Sequence, residues 1–188
     1  LTPVRSFQAG EVSFIGQSGG LSGGLGWWQP DGLKFSKIVH LGNTCDVSEA
    51  ELLRFFAQDS STRVIAAYFR RITDDSVDAI KDVSGRKPVV MHCPEEKVEK
   101  LVSAGAICVS AYTEIFEVAK IFVYSPEPRG NRVAIIGPSS GAIDLAVRSL
   151  EKNGLRLAEL ESDTVKTLRR RVLNERTKTV NPVDYWPP

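Results

Sequence analysis

The chain has 188 residues, of which 42% are hydrophobic and 25% are charged, and its formal net charge is +1. This length allows one large domain or two small ones, and the composition is that of an ordinary globular protein. The near-neutral charge argues against nucleic acid or an anionic membrane as a general electrostatic partner. The densest basic run, Arg169–Arg171, is therefore interpreted as a solvated helix face.

The ends of the chain and its cysteines predict the compartment in which the protein resides. No apolar stretch reaches the ~20 residues of a membrane span, and residues 1–5 lack both an initiator Met and the apolar core of a signal peptide. We expect a piece of a longer cytoplasmic protein. Cys45, Cys93 and Cys108 form neither a CxxC pair nor an even-numbered framework, so we expect a reducing compartment and small buried or half-buried thiols.

Short apolar runs alternate with amphipathic segments along the chain. The predicted strands are 12–16, 37–41, 63–68, 88–92, 106–109, 132–137 and 155–160. Predicted helices begin at residue 21 and at the capping box Ser48–Glu51, and cover 74–83, 94–104, 113–123, 141–153 and 162–173. This alternation predicts an α/β fold with a doubly wound parallel sheet.

A Pro/Gly-rich segment divides the predicted elements into two groups. Five strand–helix units fit before it, and a second strand, turn and helix of similar pattern begin at Arg132. We predict one domain over 1–124, a linker over 125–131 and a second α/β unit over 132–188. Two strands do not make a stable α/β domain, so we expect the second unit to be incomplete.

A Gly-rich turn, Gln17–Leu21, joins the first strand to the first helix. The first N–H groups of a helix lack intrahelical partners and the dipole end is positive, so such a turn suits an anion. Glycine at positions 19 and 20 allows a phosphate to approach the backbone closely. The alternative is a tight strand–helix turn without a ligand.

Several motifs occur in a recognisable order. They are Gly10, Val12, Ile15, Gln17-Ser18-Gly19-Gly20, Phe35-Ser36, Val39, Gly42-Asn43, Asp46, Tyr68, Lys87-Pro88-Val89-Val90, Thr113–Ala119, Gly154-Leu155 and Asn181–Asp184. In order and spacing they resemble the middle domain, and the start of the next domain, of NDP-forming acyl-CoA synthetases, relatives of the succinyl-CoA synthetase α-subunit.

The resemblance implies a flavodoxin-like CoA-ligase domain, acting in acyl-CoA, phosphate and nucleotide chemistry through a phosphohistidine. It implies that the turn of Gln17, Ser18, Gly19, Gly20 and Leu21 receives a phosphoryl group. Arg70 and Arg71 are not part of the family pattern, but we predict that, as cations, they bind a phosphate together with this turn. CoA and ADP/ATP or GDP/GTP are implied for the family, with no cofactor or metal resident in this piece. The implied partners are a CoA-binding domain and a nucleotide-grasp domain or subunit, within a homo- or hetero-oligomer.

The chain departs from the family pattern along the implied catalytic route. The strand ending at His92 passes almost at once into the next helix, so the loop that carries the family's histidine is missing. His92 is the candidate substitute, with a structural or solvated role as the alternative, and His40 is interpreted as structural. Arg70 stands where the family has a Glu that orients the histidine, and a guanidinium cannot accept an imidazole proton.

Three functions therefore remain open. The chain is part of an acyl-CoA synthetase-like protein that binds an anion, or part of a working ligase whose histidine comes from His92 or another subunit, or a non-catalytic binding or assembly module. Contact candidates for the last are Trp27, Trp28, Tyr185 and Trp186. Asp46 and Asp184 have no convincing partner for a metal site.

Overall fold

The computed structural model describes residues 9–25, 32–171 and 174–186. The chain divides into two compact units, Leu1–Glu127 and Pro128–Pro188. Trp27 and Trp28, proposed above as contact residues, lie outside the described residues. Within the described part of the chain, no helix has both the length and the apolar character needed to cross a membrane.

Unit 1, Leu1–Glu127, contains a five-stranded parallel sheet in the order β2-β1-β3-β4-β5, which is the flavodoxin-like order. Its strands are β1 (Ala9–Gly16), β2 (Phe35–His40), β3 (Val64–Tyr68), β4 (Val89–His92) and β5 (Ile107–Val109). Its helices are α1 (Gly19–Gly24), α2 (Glu49–Gln58), α3 (Asp74–Ser84), α4 (Val98–Ser103) and α5 (Tyr112–Tyr124). The predicted α/β fold class is confirmed.

Alternate residues of each central strand supply two hydrophobic layers. In β3, Val64 and Ala66 pack with α5 on one face, whereas Ile65 and Ala67 pack with α2 and α3 on the other. A strand covered on both faces reads as a continuous apolar run because neither set of side chains meets water.

Local sequence signals determine where the helices of unit 1 begin. The Ser48 side chain accepts from Glu51 N and the Glu51 side chain accepts from Ser48 N, so the predicted capping box of α2 is confirmed. The Ser48 N–H bond lowers the pKa of Glu51. The predicted helix 94–104 is only partly correct, because a 3-10 turn over Glu95–Lys97 precedes α4.

A polar cluster closes the amino edge of the same sheet. The Lys37 ammonium lies 2.6 Å from the Asp59 carboxylate, which also accepts from the Thr62 hydroxyl. These bonds, the one from Lys37 foremost, hold the pKa of Asp59 below its usual range. The Lys87 ammonium donates to the carbonyls of Phe56 and Asp59 at the end of α2, where a cation suits the helix dipole.

Unit 2, Pro128–Pro188, contains two small parallel sheets, β6-β8 and β7-β9. Its elements are β6 (Arg132–Val133), β7 (Ile136–Gly137), α6 (Ser140–Lys152), β8 (Arg156–Leu157), α7 (Ser162–Arg171) and β9 (Val183–Asp184). The single predicted strand 132–137 is therefore wrong, because Ala134 and Ile135 interrupt it and its halves pair with different partners.

Backbone pairing with β7 and the bonds of one side chain, Asn181, together hold the tail of unit 2. The Asn181 amide accepts from Ile135 N and donates to the carbonyls of Val133 and Ala158, in each case within 2.9 Å. These bonds bring Val183 and Asp184 beside β7. The strand β9 was missed because a two-residue strand has no periodic pattern to detect.

Candidate functional site: the carboxyl edge of the unit 1 sheet

The candidate site lies where the strand order of unit 1 reverses. Strand β1 has β2 on one side and β3 on the other, and Gly16 is in register with both His40 and Tyr68. Ligands of open α/β sheets bind at such a switch point, outside the carboxyl ends of the strands. The loops that follow β1, β2 and β3 therefore meet at one edge.

Gln17 joins these loops through its side-chain amide. The residue is 6% exposed. Its Oε1 accepts from Arg70 N at 2.7 Å and from Arg71 N at 3.1 Å, while its Nε2 donates to the Glu49 carboxylate. Because both ends of the amide are bonded within the protein, Gln17 orients the loop after β3.

Glu49 is a site residue that sequence reasoning missed. It is the first residue of α2 and is 5% exposed, so a carboxylate is buried directly behind the edge. The available signal was weak: acidic residues are common in the first turn of a helix, where the dipole favours them, and nothing in the local sequence shows that this one is buried.

The Ser18–Leu21 turn begins a helix of six residues. The Ser18 hydroxyl accepts from Leu21 N at 3.4 Å and caps that helix. A Cβ at Gly16 would lie 2.2 Å from the Ser22 hydroxyl, so glycine there permits the close approach of α1 to β1. A Cβ at Gly20 would meet no atom within 4 Å, which leaves open space at that position.

Arg70 and Arg71 form the wall of a shallow cleft at this edge. The cleft has a volume of about 160 Å³ and is lined by Gln17, Gly42, Asn43, Arg70 and Arg71. Both arginines are exposed. Among the described residues, no carboxylate forms an ion pair with either guanidinium. Two unpaired guanidinium groups beside one cleft make its surroundings electropositive, which favours an anion.

His92 lies at the same edge but lines a different pocket. Its ring centroid is 5.9 Å from that of Tyr68. The second pocket has a volume of about 350 Å³ and includes His92, Cys93, Pro94 and Cys108. The structure thus brings Gln17 and Arg70 together but does not bring His92 to their cleft.

His40, expected to be structural, ends β2 next to the Gly-rich turn. Its Nδ1 lies 3.2 Å from the carbonyl oxygen of Gly16, and a Cβ built on Gly19 would lie 3.1 Å from its Nε2. The same Nδ1 also lies 3.4 Å from Gly42 N, so the ring contacts the backbone on both sides of the edge. The rule that ligands gather at carboxyl strand ends was applied above to His92, and it applies equally to His40.

The cysteines differ from expectation. Cys93 and Cys108 form a disulfide, and Cys45 is exposed rather than buried. The two bonded residues are 15 positions apart in sequence but lie at the carboxyl ends of neighbouring strands, with Cα atoms 5.3 Å apart. Spacing along the chain could not predict this pairing, because the two cysteines come together only when β4 and β5 pair in the sheet.

Comparison with known proteins identifies the fold family. Residues 9–100 match the family model described as a succinyl-CoA ligase like flavodoxin domain. The chain is 29% identical over 97% of its length to the α subunit of acetate–CoA ligase (ADP-forming) II from Pyrococcus furiosus, and 33% identical over 81% of its length to acetate–CoA ligase (ADP-forming) II from Archaeoglobus fulgidus. The chain belongs to the NDP-forming acyl-CoA synthetase family.

The chain spans less than half the length of each of these two relatives. It spans 45% of the Pyrococcus furiosus protein and 26% of the Archaeoglobus fulgidus protein. A crystal structure of PH0766 from Pyrococcus horikoshii OT3 superposes with a TM-score of 0.84 at 30% identity, over 97% of this chain and 43% of that one. A Ca. Korarchaeum cryptofilum acetyl-coenzyme A synthetase, solved with phosphate and ADP, shares the fold at 22% identity and a TM-score of 0.81.

These comparisons bear on the alternatives left open by the sequence. The relatives are ligases or ligase subunits by name, and none of the comparisons favours a non-catalytic module. Within the described ranges, no three His, Cys, Asp or Glu side chains gather as metal ligands would.

Proposed function

We propose that the cleft of unit 1 binds phosphate, or a phosphate group of CoA or a nucleotide, as part of an ADP-forming acyl-CoA synthetase. The observation that carries this proposal is the pair of exposed guanidinium groups on a loop whose backbone is held by the buried Gln17 amide. A guanidinium presents a planar fork of donors that matches phosphate oxygens, and a fixed backbone lowers the entropy lost on binding.

The Gly-rich turn has a separate role in this proposal. Ser18 keeps the turn in shape through its bond to Leu21 N, and the open space at Gly20 lets an anion approach the backbone. Gly19 keeps the turn close to the His40 ring. Arg70 supplies the charge that the short helix α1 does not provide.

Phosphoryl transfer is not assigned to His92 in this proposal. Two residues, Cys93 and Pro94, separate the end of β4 from the 3-10 turn at Glu95, so no long loop carries His92 toward the cleft. Arg70 also stands where the resemblance implies a Glu that would orient a phosphohistidine. We infer that this unit contributes anion binding and assembly, and that the phosphorylated histidine comes from elsewhere in the assembly.

The names of the relatives support a wider setting for this proposal. We propose adenine rather than guanine nucleotides, because the relatives are named ADP-forming ligases. We further propose a cytoplasmic assembly with a CoA-binding domain and a nucleotide-grasp domain or subunit. The division into domains over 1–124 and 132–188, with a linker over 125–131, is part of this proposal.

Isothermal titration of the chain with inorganic phosphate, CoA and ADP tests the proposal. Arg70→Gln should weaken phosphate binding about tenfold, because it removes a charged hydrogen-bond donor worth about 1.4 kcal/mol or more. Arg86→Gln is the matched control, since it removes the same charge from an exposed residue just before β4, at the opposite edge of the sheet. Equal losses in the two variants, or no loss in Arg70→Gln, would contradict the proposal.

A further inference from the structure

We propose that Cys93 and Cys108 form a reversible thiol–disulfide site, which exchanges with a small thiol or dithiol admitted by the pocket beside His92. The site is separate from the arginine cleft. It rests on three observations: the bond itself, the unequal exposure of its two sulfur-bearing residues, and the pocket that they line.

Access to one sulfur decides whether exchange can occur in the folded protein. An incoming thiolate must reach one of the two sulfur atoms to form a mixed disulfide. Cys93 is 6% exposed, whereas Cys108 is only half-buried. Both line the 350 Å³ pocket, so a small thiol can enter beside Cys108 without unfolding the sheet.

Reduction of the disulfide by a dithiol takes place in two exchange steps. A thiolate of the reductant attacks Cys108 Sγ, the Cys93–Cys108 bond breaks, and Cys93 leaves as a thiolate that takes a proton from water. The second thiolate of a dithiol then attacks the mixed disulfide and releases Cys108 as a thiolate. The dithiol is oxidised to a disulfide by two electrons, and the protein disulfide is reduced to two thiols.

The surrounding backbone allows the chain to survive reduction. The pairing of β4 with β5 joins Val90 to Ile107, Met91 to Cys108 and His92 to Val109, and Cys93 N donates to the Val109 carbonyl. None of these contacts needs the sulfur–sulfur bond. Reduction therefore removes the covalent link between the two strands and frees the Cys93 and Cys108 side chains, while the strands stay paired.

The two histidines of the chain supply a built-in reporter and control. His92 lines the pocket of the disulfide, whereas His40 ends β2. Three strand spacings separate β2 from β4, which is about 14 Å at ~4.8 Å per strand. A change in the state of the disulfide should therefore move the NMR signals of the His92 ring and leave those of His40 in place.

Counting reactive thiols in the folded chain tests the proposal. Oxidised protein should label with maleimide only at Cys45, whereas excess dithiol without denaturant should expose all three cysteines. After oxidised glutathione is added, maleimide should again label Cys45 alone. Cys45→Ser should remove this labelling and leave the reduction and re-oxidation of Cys93 and Cys108 unchanged.

Three results would contradict the proposal. The first is a disulfide that opens only in denaturant, which would make it purely structural. The second is a failure of Cys93 and Cys108 to pair under oxidised glutathione, measured alongside Cys108→Ser as the unpaired reference. A shift of the His40 signals as large as that of His92 on reduction would also contradict the local change described.

Discussion

Replacing Gln17 by Leu should both destabilise unit 1 and weaken the cleft that the Gln17 amide supports. Leucine has a similar size but neither a donor nor an acceptor. The variant leaves the buried Glu49 carboxylate without the Gln17 donor, and it leaves Arg70 N and Arg71 N without their acceptor. An unpartnered buried polar group costs free energy because folding has already removed its water.

The expected loss follows from the burial of each group. The bond to a charged, 5% exposed carboxylate contributes about 2 kcal/mol. The two backbone donors are only part-buried, so water recovers some of their bonding and each contributes about 0.5–1 kcal/mol. We therefore expect Gln17→Leu to lower the free energy of unfolding of unit 1 by about 3–4 kcal/mol, a large part of the stability of a typical domain.

Urea denaturation followed by circular dichroism, with hydrogen exchange at the amides of β1 and β3, measures this loss. Gln58→Leu is the control, because Gln58 is an exposed residue at the end of α2 and the change should stay within about 0.5 kcal/mol. Gln17→Leu should also bind phosphate more weakly than the unaltered chain, because the loop that carries Arg70 is no longer held. A loss below 1 kcal/mol for Gln17→Leu would refute the buried network as the support of the cleft.

Two further predictions concern the amino edge of the sheet. The bonds that lower the pKa of Asp59 stabilise the fold above its usual pKa of 3.8, and this contribution should be lost as the pH falls through the lower folded value. Asp59→Asn should therefore be less stable near neutral pH and should show a flatter loss of stability below pH 4 in acid titrations (with Asp78→Asn, on an exposed position of α3, as the control). Lys87→Met removes both bonds to the end of α2 and should lower the unfolding free energy by about 1–2 kcal/mol in urea, whereas Lys81→Met, on an exposed position of α3, should change it little.

The parallel sheet could be predicted because its signals are local and strong. The apolar run 64–67 in β3 and the capping box at Ser48 each depend on a few neighbouring residues, and both are confirmed. The order of the strands was implied by the resemblance to the acyl-CoA synthetases. In the observed strand order, β1 lies between β2 and β3, so Gly16, His40 and Tyr68 lie at one edge of the sheet.

The features that could not be predicted depend on contacts between distant residues. The Gln17 amide is bonded to residues 32 and 53 positions away, and the cystine joins two strands that no spacing rule connects. The strand β9 pairs with β7 beside the Asn181 side chain, whose partners Val133, Ile135 and Ala158 lie 23 to 48 positions away in sequence. Arg70 was predicted as an anion contact, and the fold places Arg71 beside it in the same cleft.

Mapping the anion on the folded chain tests the central claim most directly. Inorganic phosphate titrated into isotopically labelled protein should shift the backbone amide signals at the ends of β1, β2 and β3, namely those of Gln17–Gly20, Gly42, Asn43, Arg70 and Arg71. The same titration of Arg70→Gln should need about ten times more phosphate for equal shifts. Shifts centred on His92–Glu95 or on the start of α6, with the cleft unchanged, would contradict the account.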